Sequence, residues 1–142
     1  MNAKVFVDSN IFVYIQSTSD AEKQSIARQV LRILNCSVST QVLSEVSNVL
    51  SKKAGFSYKQ IGEIVDGIIQ ICDISIIENN TIRSAHRIAE KYKFGYYDSL
   101  IIASAIESGC KYLLSEDFSD GQIIDKKVTV INIFKHPEFL NQ

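Results

Sequence analysis

An α/β fold, arranged as a three-layer α/β/α sandwich around a mostly parallel central sheet, is what this chain predicts. Three observations carry that expectation. Short β-rich runs alternate with longer segments of helical apolar period. The loops between them are brief, and no internal repeat, low-complexity tract or linker interrupts them. At 142 residues, with Pro137 as its only proline, the chain reads as one domain spanning 1–142.

The elements follow in order. Lys4 to Val7 is a short β-rich run that ends at Asp8. Ser19 with Glu22 forms a capping box, and Ile26, Val30, Ile33 and Leu34 make one face of the helix it opens. Cys36 to Ser39 is a brief strand. Thr40 can cap the next helix, in which Val42, Leu43, Val46, Val49 and Leu50 recur until Gly55. Ser57 with Gln60 opens a further helix carrying Ile61, Ile64, Val65, Ile68 and Ile69, and Ile74 to Ile77 alternates as a strand. A helix from Asn80 holds Ile82, Ala85, Ile88 and Ala89 inside and closes at Gly95. Asp98 to Ser108 is apolar or small almost all round, as in a helix buried on most sides. Lys111 to Leu114 and Val128 to Ile133 complete the strands.

Composition narrows the function. The apolar fraction of 46% and charged fraction of 22% exclude a disordered chain, a collagen-like fibre and a coiled-coil rod. No apolar run approaches the roughly eighteen residues of a membrane span, and Asp8 breaks the opening apolar run too early for a secretory signal. Cys36, Cys72 and Cys110 are far apart and read as small buried hydrophobes in a reducing cytoplasm. A net charge of −1 argues against a passive nucleic-acid binder working by counterion release alone. Contact with RNA or DNA then needs a local patch or bound cations.

The acids supply such a place. Ligands of open parallel sheets bind beyond the carboxyl ends of the strands. Asp8 directly follows the first strand, and Asp117 follows the strand Lys111 to Leu114. Glu45 lies in the second turn of the helix after the second strand, and Asp98 in the first turn of the buried helix. All four are thus directed toward one crevice. Converging carboxylates repel unless they hold protons or share a cation. Oxygen donors without His or Cys favour Mg²⁺ or Mn²⁺, which can activate a water and offset charge growing on a phosphate. Taken singly, an Asp after a strand or in a first helical turn is more often a cap or dipole partner, Asp98 most naturally so, whereas Glu45 falls near the edge of its helix's apolar face. Glu63, Asp66, Glu78, Glu90 and Asp125 read as solvated faces, and His86 and His136 as isolated. Tyr96 and Tyr97 could stack on bases, although aromatics at a helix start are more often core. Lys52, Lys53, Arg83, Arg87, Lys91 and Lys93 make either a substrate path or an ordinary solvated face.

Four segments together resemble the PIN-domain family, and in size and layout its VapC-type toxins of toxin–antitoxin pairs. They are Val5-Phe-Val-Asp8-Ser-Asn10, Ser39-Thr-Gln-Val-Leu-Ser-Glu45, Tyr97-Asp98-Ser-Leu-Ile-Ile-Ala-Ser-Ala105 and Leu113-Leu-Ser115-Glu-Asp117-Phe, with Val130-Ile-Asn-Ile-Phe134 similar to the family's last strand. The resemblance implies a ribonuclease dependent on Mg²⁺ or Mn²⁺, with Asp8 and Asp98 as principal metal ligands and Glu45 and Asp117 completing the site. It also implies that Asn10 and Ser115 hydrogen-bond those carboxylates. Glu116 and Asp120 remain adjacent candidates for the fourth acidic position. A homodimer, an RNA substrate, an antitoxin partner and no membrane are further implications.

Two other classes stand beside this reading. An aspartyl-phosphate phosphotransfer protein would also place Asp8 after the first strand, but the second Asp of the phosphatase signature is missing from Asp8-Ser9-Asn10. A non-catalytic PIN-like module binding RNA or protein is the other, and the intact acidic quartet argues against it.

Overall fold

Val5, Phe6 and Val7 are successive residues on one strand, so their side chains point to alternate faces, yet all three are fully buried. The strand is therefore covered on both sides, as the interior of an α/β sandwich requires. The computed structural model describes residues 3–53 and 55–141. In chain order the elements are β1 (Lys4–Val7), α1 (Ser9–Ile15), α2 (Ala21–Ile33), β2 (Asn35–Ser39), α3 (Thr40–Lys52), α4 (Tyr58–Ile71), β3 (Asp73–Ser75), α5 (Asn79–Tyr92), α6 (Tyr96–Glu107), β4 (Tyr112–Leu114), β5 (Ile123–Ile124) and β6 (Val128–Ile131), followed by a short 3-10 helix over Pro137–Asn141.

The six strands lie in the order β3-β2-β1-β4-β6-β5. Every pairing is parallel except that of β5 with β6. From the central β1 the chain builds outward through β2 and β3, then crosses to the other side of β1 to lay down β4. The order thus reverses between β1 and β4, and in such sheets the reversal opens a crevice at the carboxyl ends of the two strands. Asp8 directly follows β1, and Ser115 directly follows β4.

Helices α1 to α4 pack in sequence, α1 on α2 and α3, and α3 on α4. The α5–α6 pair forms the other group, with α6 against β2, β4 and β6. In α6 every residue from Ser99 to Ala105 is buried, as its apolar composition requires. Phe6, Ile11, Leu50, Ile88, Ile102 and Leu113 are among the largest fully sealed side chains, so a Leu50→Ala cavity costs about 2–5 kcal/mol. All three cysteines are free and buried. Among the described residues, no helix is long and apolar enough to cross a membrane.

Several boundaries differ from the sequence expectations, each for a local reason. Ser9–Ile15 is a helix without an advance signal, because Asp8 caps it by accepting from the Ser9 N–H. Asp20, not Ser19, caps α2 through the Lys23 N–H. Ser39, not Thr40, caps α3, while the Thr40 hydroxyl accepts from the Ile77 N–H. The third strand covers Asp73–Ser75, not Ile74 to Ile77. Helix α5 closes at Lys93, held in the left-handed region at φ 61°, so that Gly95 is left to cap α6, which starts at Tyr96, two residues earlier than Asp98. The edge strand β5 has too few residues to show a period, and β6 ends at Ile131, two residues before Ile133.

Candidate active site

Asp8 is anchored before its carboxylate does anything. Its backbone N–H donates to Leu114 O at 3.1 Å, which locks the end of β1 to β4. One carboxylate oxygen accepts from the Ser9 N–H and the other from the Ser115 hydroxyl, both at 2.7 Å. Only 5% of Asp8 is exposed. Burial pushes its carboxyl above the ordinary aspartate value, the Ser115 and Ser9 bonds draw it back, and the charges of Asp117 and Asp98 push it up again.

Ser115 is the hub of the crevice. Its single proton goes to Asp8, while its oxygen accepts from the Asp117 N–H at 3.1 Å and the Asn10 amide at 3.4 Å. The same Asn10 Nδ2 donates to Asp117 Oδ2 at 3.1 Å. Two strands and the first turn of α1 are thereby tied into one set: Asp8, Asn10, Ser115 and Asp117. Asn10 Oδ1 is shut off from solvent without a partner among the described residues.

Glu45 and Asp98 approach from the helices. Glu45 is half-buried on α3 and accepts from the Gln41 amide at 3.3 Å. Burial raises its carboxyl, Asp8's charge raises it further, and the Gln41 amide and Ser9 hydroxyl partly offset this. Asp98 lies in the first turn of α6; partial burial of its carboxyl raises it, with Asp117 adding to the effect. Gln41 Nε2 also donates to Tyr97 O at 3.1 Å, which fixes α3 against the start of α6.

The two rival acids are engaged elsewhere. Glu116 takes the Tyr14 hydroxyl and Lys23 Nζ, the latter at 3.0 Å. Asp120 accepts from the Asn132 N–H at 2.8 Å and bonds His136 Nε2 at 2.6 Å. Asp117 alone of the three joins Asn10 and Ser115. His136 is thus not isolated, and the Asp120 bond raises its pKa. Arg87 and Lys91 pair with Asp125, and Lys93 with Glu90, which absorbs much of the expected basic path into the fold's own ion pairs. Sequence reasoning missed Tyr14, Lys23 and Gln41. Only the Gln41–Glu45 spacing of one helical turn offered a signal.

Among the described residues no basic side chain pairs with Asp8, Glu45, Asp98 or Asp117. Also among them, no three Asp, Glu, His or Cys side chains close into a ready-made metal cage. The donor set still fits a hard cation in kind. It is all oxygen, and Mg²⁺ keeps several waters and takes only one or two carboxylates directly. An unpartnered Asn10 carbonyl and a buried, uncompensated carboxylate are the polar groups such a hydrated ion would satisfy.

Solved structures of similar shape were found. The sarcin–ricin-loop-cleaving toxin VapC20 of Mycobacterium tuberculosis aligns with a TM-score of 0.66 at 16% identity, over 81% of this chain and 92% of that one. A toxin–antitoxin complex from Klebsiella pneumoniae gives 0.67 at 20% identity, covering 88% and 95%. DNA-bound VapBC from Salmonella typhimurium gives 0.65 at 14%, covering 90% and 96%. At these identities the likeness is one of fold. No curated protein sequence matches the chain. The family model of the PIN domain matches residues 5–119, from β1 through the acids at Asp8, Glu45, Asp98 and Asp117, and the chain belongs to the PIN domain family.

Proposed function

We propose that the protein is an endoribonuclease that hydrolyses RNA phosphodiester bonds with Mg²⁺ or Mn²⁺, acting in the cytoplasm as the toxin of a toxin–antitoxin pair. One observation carries the reading. Four carboxylates converge on the β1–β4 crevice, three of them with raised pKa values, and no basic side chain among the described residues pairs with them. Membership of the PIN family and the toxin–antitoxin proteins among its structural neighbours support the same reading.

In this reading Asp8 and Asp98 are the principal metal ligands, and Glu45 and Asp117 complete the site. A bound Mg²⁺ or Mn²⁺ ion supplies an activated water and offsets charge growing on the phosphate. The chain's own groups do the positioning. Ser115 and the Ser9 N–H fix the rotation of the Asp8 carboxylate, and Asn10 with the Ser115 oxygen aims Asp117. Gln41 holds Glu45. Such supporting contacts govern how well a ligand set is prepared before anything binds. A homodimer and an antitoxin partner belong to the proposal. The Klebsiella neighbour was solved as a toxin–antitoxin complex and the Salmonella one as DNA-bound VapBC, which supports the antitoxin part of the proposal.

The test is cleavage of total RNA by the purified protein in Mg²⁺, Mn²⁺ and EDTA, beside Asp8→Asn. Cleavage that needs the metal and disappears in the variant is the expected result. A folded, inhibitor-free protein that cuts nothing in either metal, or cutting that survives in Asp8→Asn, overturns the reading.

A further inference from the structure

Tyr97 stands immediately before Asp98, yet it is 67% exposed, so the expectation that this aromatic belongs to the core does not hold. Its ring is not loose. It packs edge-to-face on Tyr96, with centroids 5.2 Å apart and planes at 69°, and Tyr96 is braced in turn by the His86 ring at 5.5 Å. An aromatic ring held in place from one side, with most of its surface open, is what a stacking platform requires.

Beside it lies a shallow depression of about 280 Å³ lined by Gln41, Ser44, Glu45, Asn48 and Tyr97. The four α3 residues are spaced 3, 4 and 7 apart from Gln41, which is one face of a helix. Ser44 and Asn48 are exposed and offer a hydroxyl and an amide to a planar polar edge. Gln41 is anchored to Tyr97 O, while its Oε1 is shut off from solvent without a partner among the described residues. The depression shares Glu45 with the crevice, and Tyr97 adjoins Asp98. It is thus contiguous with the proposed centre through both helices that feed it.

We propose that Tyr97, with Gln41, Ser44 and Asn48, forms a nucleobase subsite in which a base of a single-stranded RNA next to the cut stacks on the Tyr97 ring and is read by the α3 polar side chains. The inference rests on the ribonuclease reading. A ring accepts any base, so Tyr97 supplies affinity, whereas the Asn48 amide and Ser44 hydroxyl discriminate between base edges.

The experiment measures binding and cleavage separately. Fluorescently labelled hexaribonucleotides, one of each base, are titrated by anisotropy in Ca²⁺ against the wild type, Tyr97→Phe, Tyr97→Ala and Asn48→Ala. The expected result is a roughly 5- to 150-fold loss in Tyr97→Ala, as for removal of one stacked base. Tyr97→Phe keeps wild-type affinity, and Asn48→Ala changes the ranking of the four bases. Equal affinity in wild type and Tyr97→Ala overturns the subsite, as does a wild type that binds none of the four. So does a Tyr97→Ala protein that changes only its oligomeric state, since the ring then serves contact between copies. Mapping cut sites in Mn²⁺ keeps the two readings apart. Cleavage at the wild-type rate in Tyr97→Ala together with an unchanged cut pattern in Asn48→Ala sinks the subsite alone, whereas Tyr97-dependent binding without any cleavage sinks the nuclease alone.

Discussion

Two aspartates at different places on the sheet have opposite surroundings. Asp125 opens the three-residue turn between β5 and β6, where it and Lys126 both take left-handed backbone angles, φ 51° and 55°. Its carboxylate meets Arg87 and Lys91, each at 3.0 Å, and the Tyr92 hydroxyl at 3.1 Å. The Lys91 bond above all holds its carboxyl below the ordinary range, with burial opposing and Arg87 assisting. Asp8, more deeply buried, has a serine hydroxyl, one backbone N–H and three acidic neighbours, and its carboxyl is pushed up. An acid whose charge is answered within the fold is structural. In the proposed reading, an acid left unanswered, held rigid and grouped with others is arranged for a cation from outside.

The contrast is broken or sharpened most by activity. Asp8→Asn is expected to lower RNA cleavage by about 10²-fold or more, because in the proposed reading a ligand to the phosphate-stabilising ion is lost. Asp125→Asn is expected to leave the rate within about twofold, since its partners belong to the α5 edge. Both are read from initial rates on one defined RNA. Ser115→Ala comes next, with a loss of about 10- to 100-fold for removal of a supporting contact. It takes away Asp8's hydroxyl donor and releases Asp117, so its pH–rate profile moves toward higher pH relative to wild type.

Stability against pH separates the two aspartates by sign. The folded state holds the Asp8 proton to higher pH than the unfolded chain, whose value is near 3.8. As pH rises through that window the unfolded chain releases the proton first, and stability falls. Asp8→Asn has no such penalty. Its Tm is expected to gain on wild type as pH rises above 3.8 without metal, the margin closing as pH falls back toward that value. Asp125 behaves oppositely. Its contribution is present above 3.8 and is lost as pH falls through the depressed value. Asp125→Asn is expected to cost about 1 kcal/mol or less at neutral pH, since Arg87 and Lys91 are more than half exposed. Calorimetry across pH 3 to 7 checks both slopes.

How far the chain could be read depends on the range of each signal. Parallel strands alternating with helices were legible because their periods are local, and so were the four acids, each placed by its offset from a strand or helix start. Ser9–Ile15 was hidden because its cap, Asp8, is also the residue that ends β1. The choice of Asp117 over Glu116 and Asp120 was not decidable from adjacency. The two acids differ in partners about a hundred residues away, Asn10 for Asp117 and Tyr14 with Lys23 for Glu116, which no local pattern reveals. Tyr97 was misjudged for a related reason. The neighbouring Tyr96 takes the half-buried position, and the aromatic pair gives no local sign of which ring turns outward.

Mn²⁺ binding, followed by loss of the free-ion electron paramagnetic resonance signal, tests the unanswered charge at the crevice most directly. Wild type and Asp125→Asn are expected to bind Mn²⁺ alike, and Asp8→Asn at least about tenfold more weakly. Equal binding by wild type and Asp8→Asn, or a loss confined to Asp125→Asn, would contradict a cation site built on Asp8.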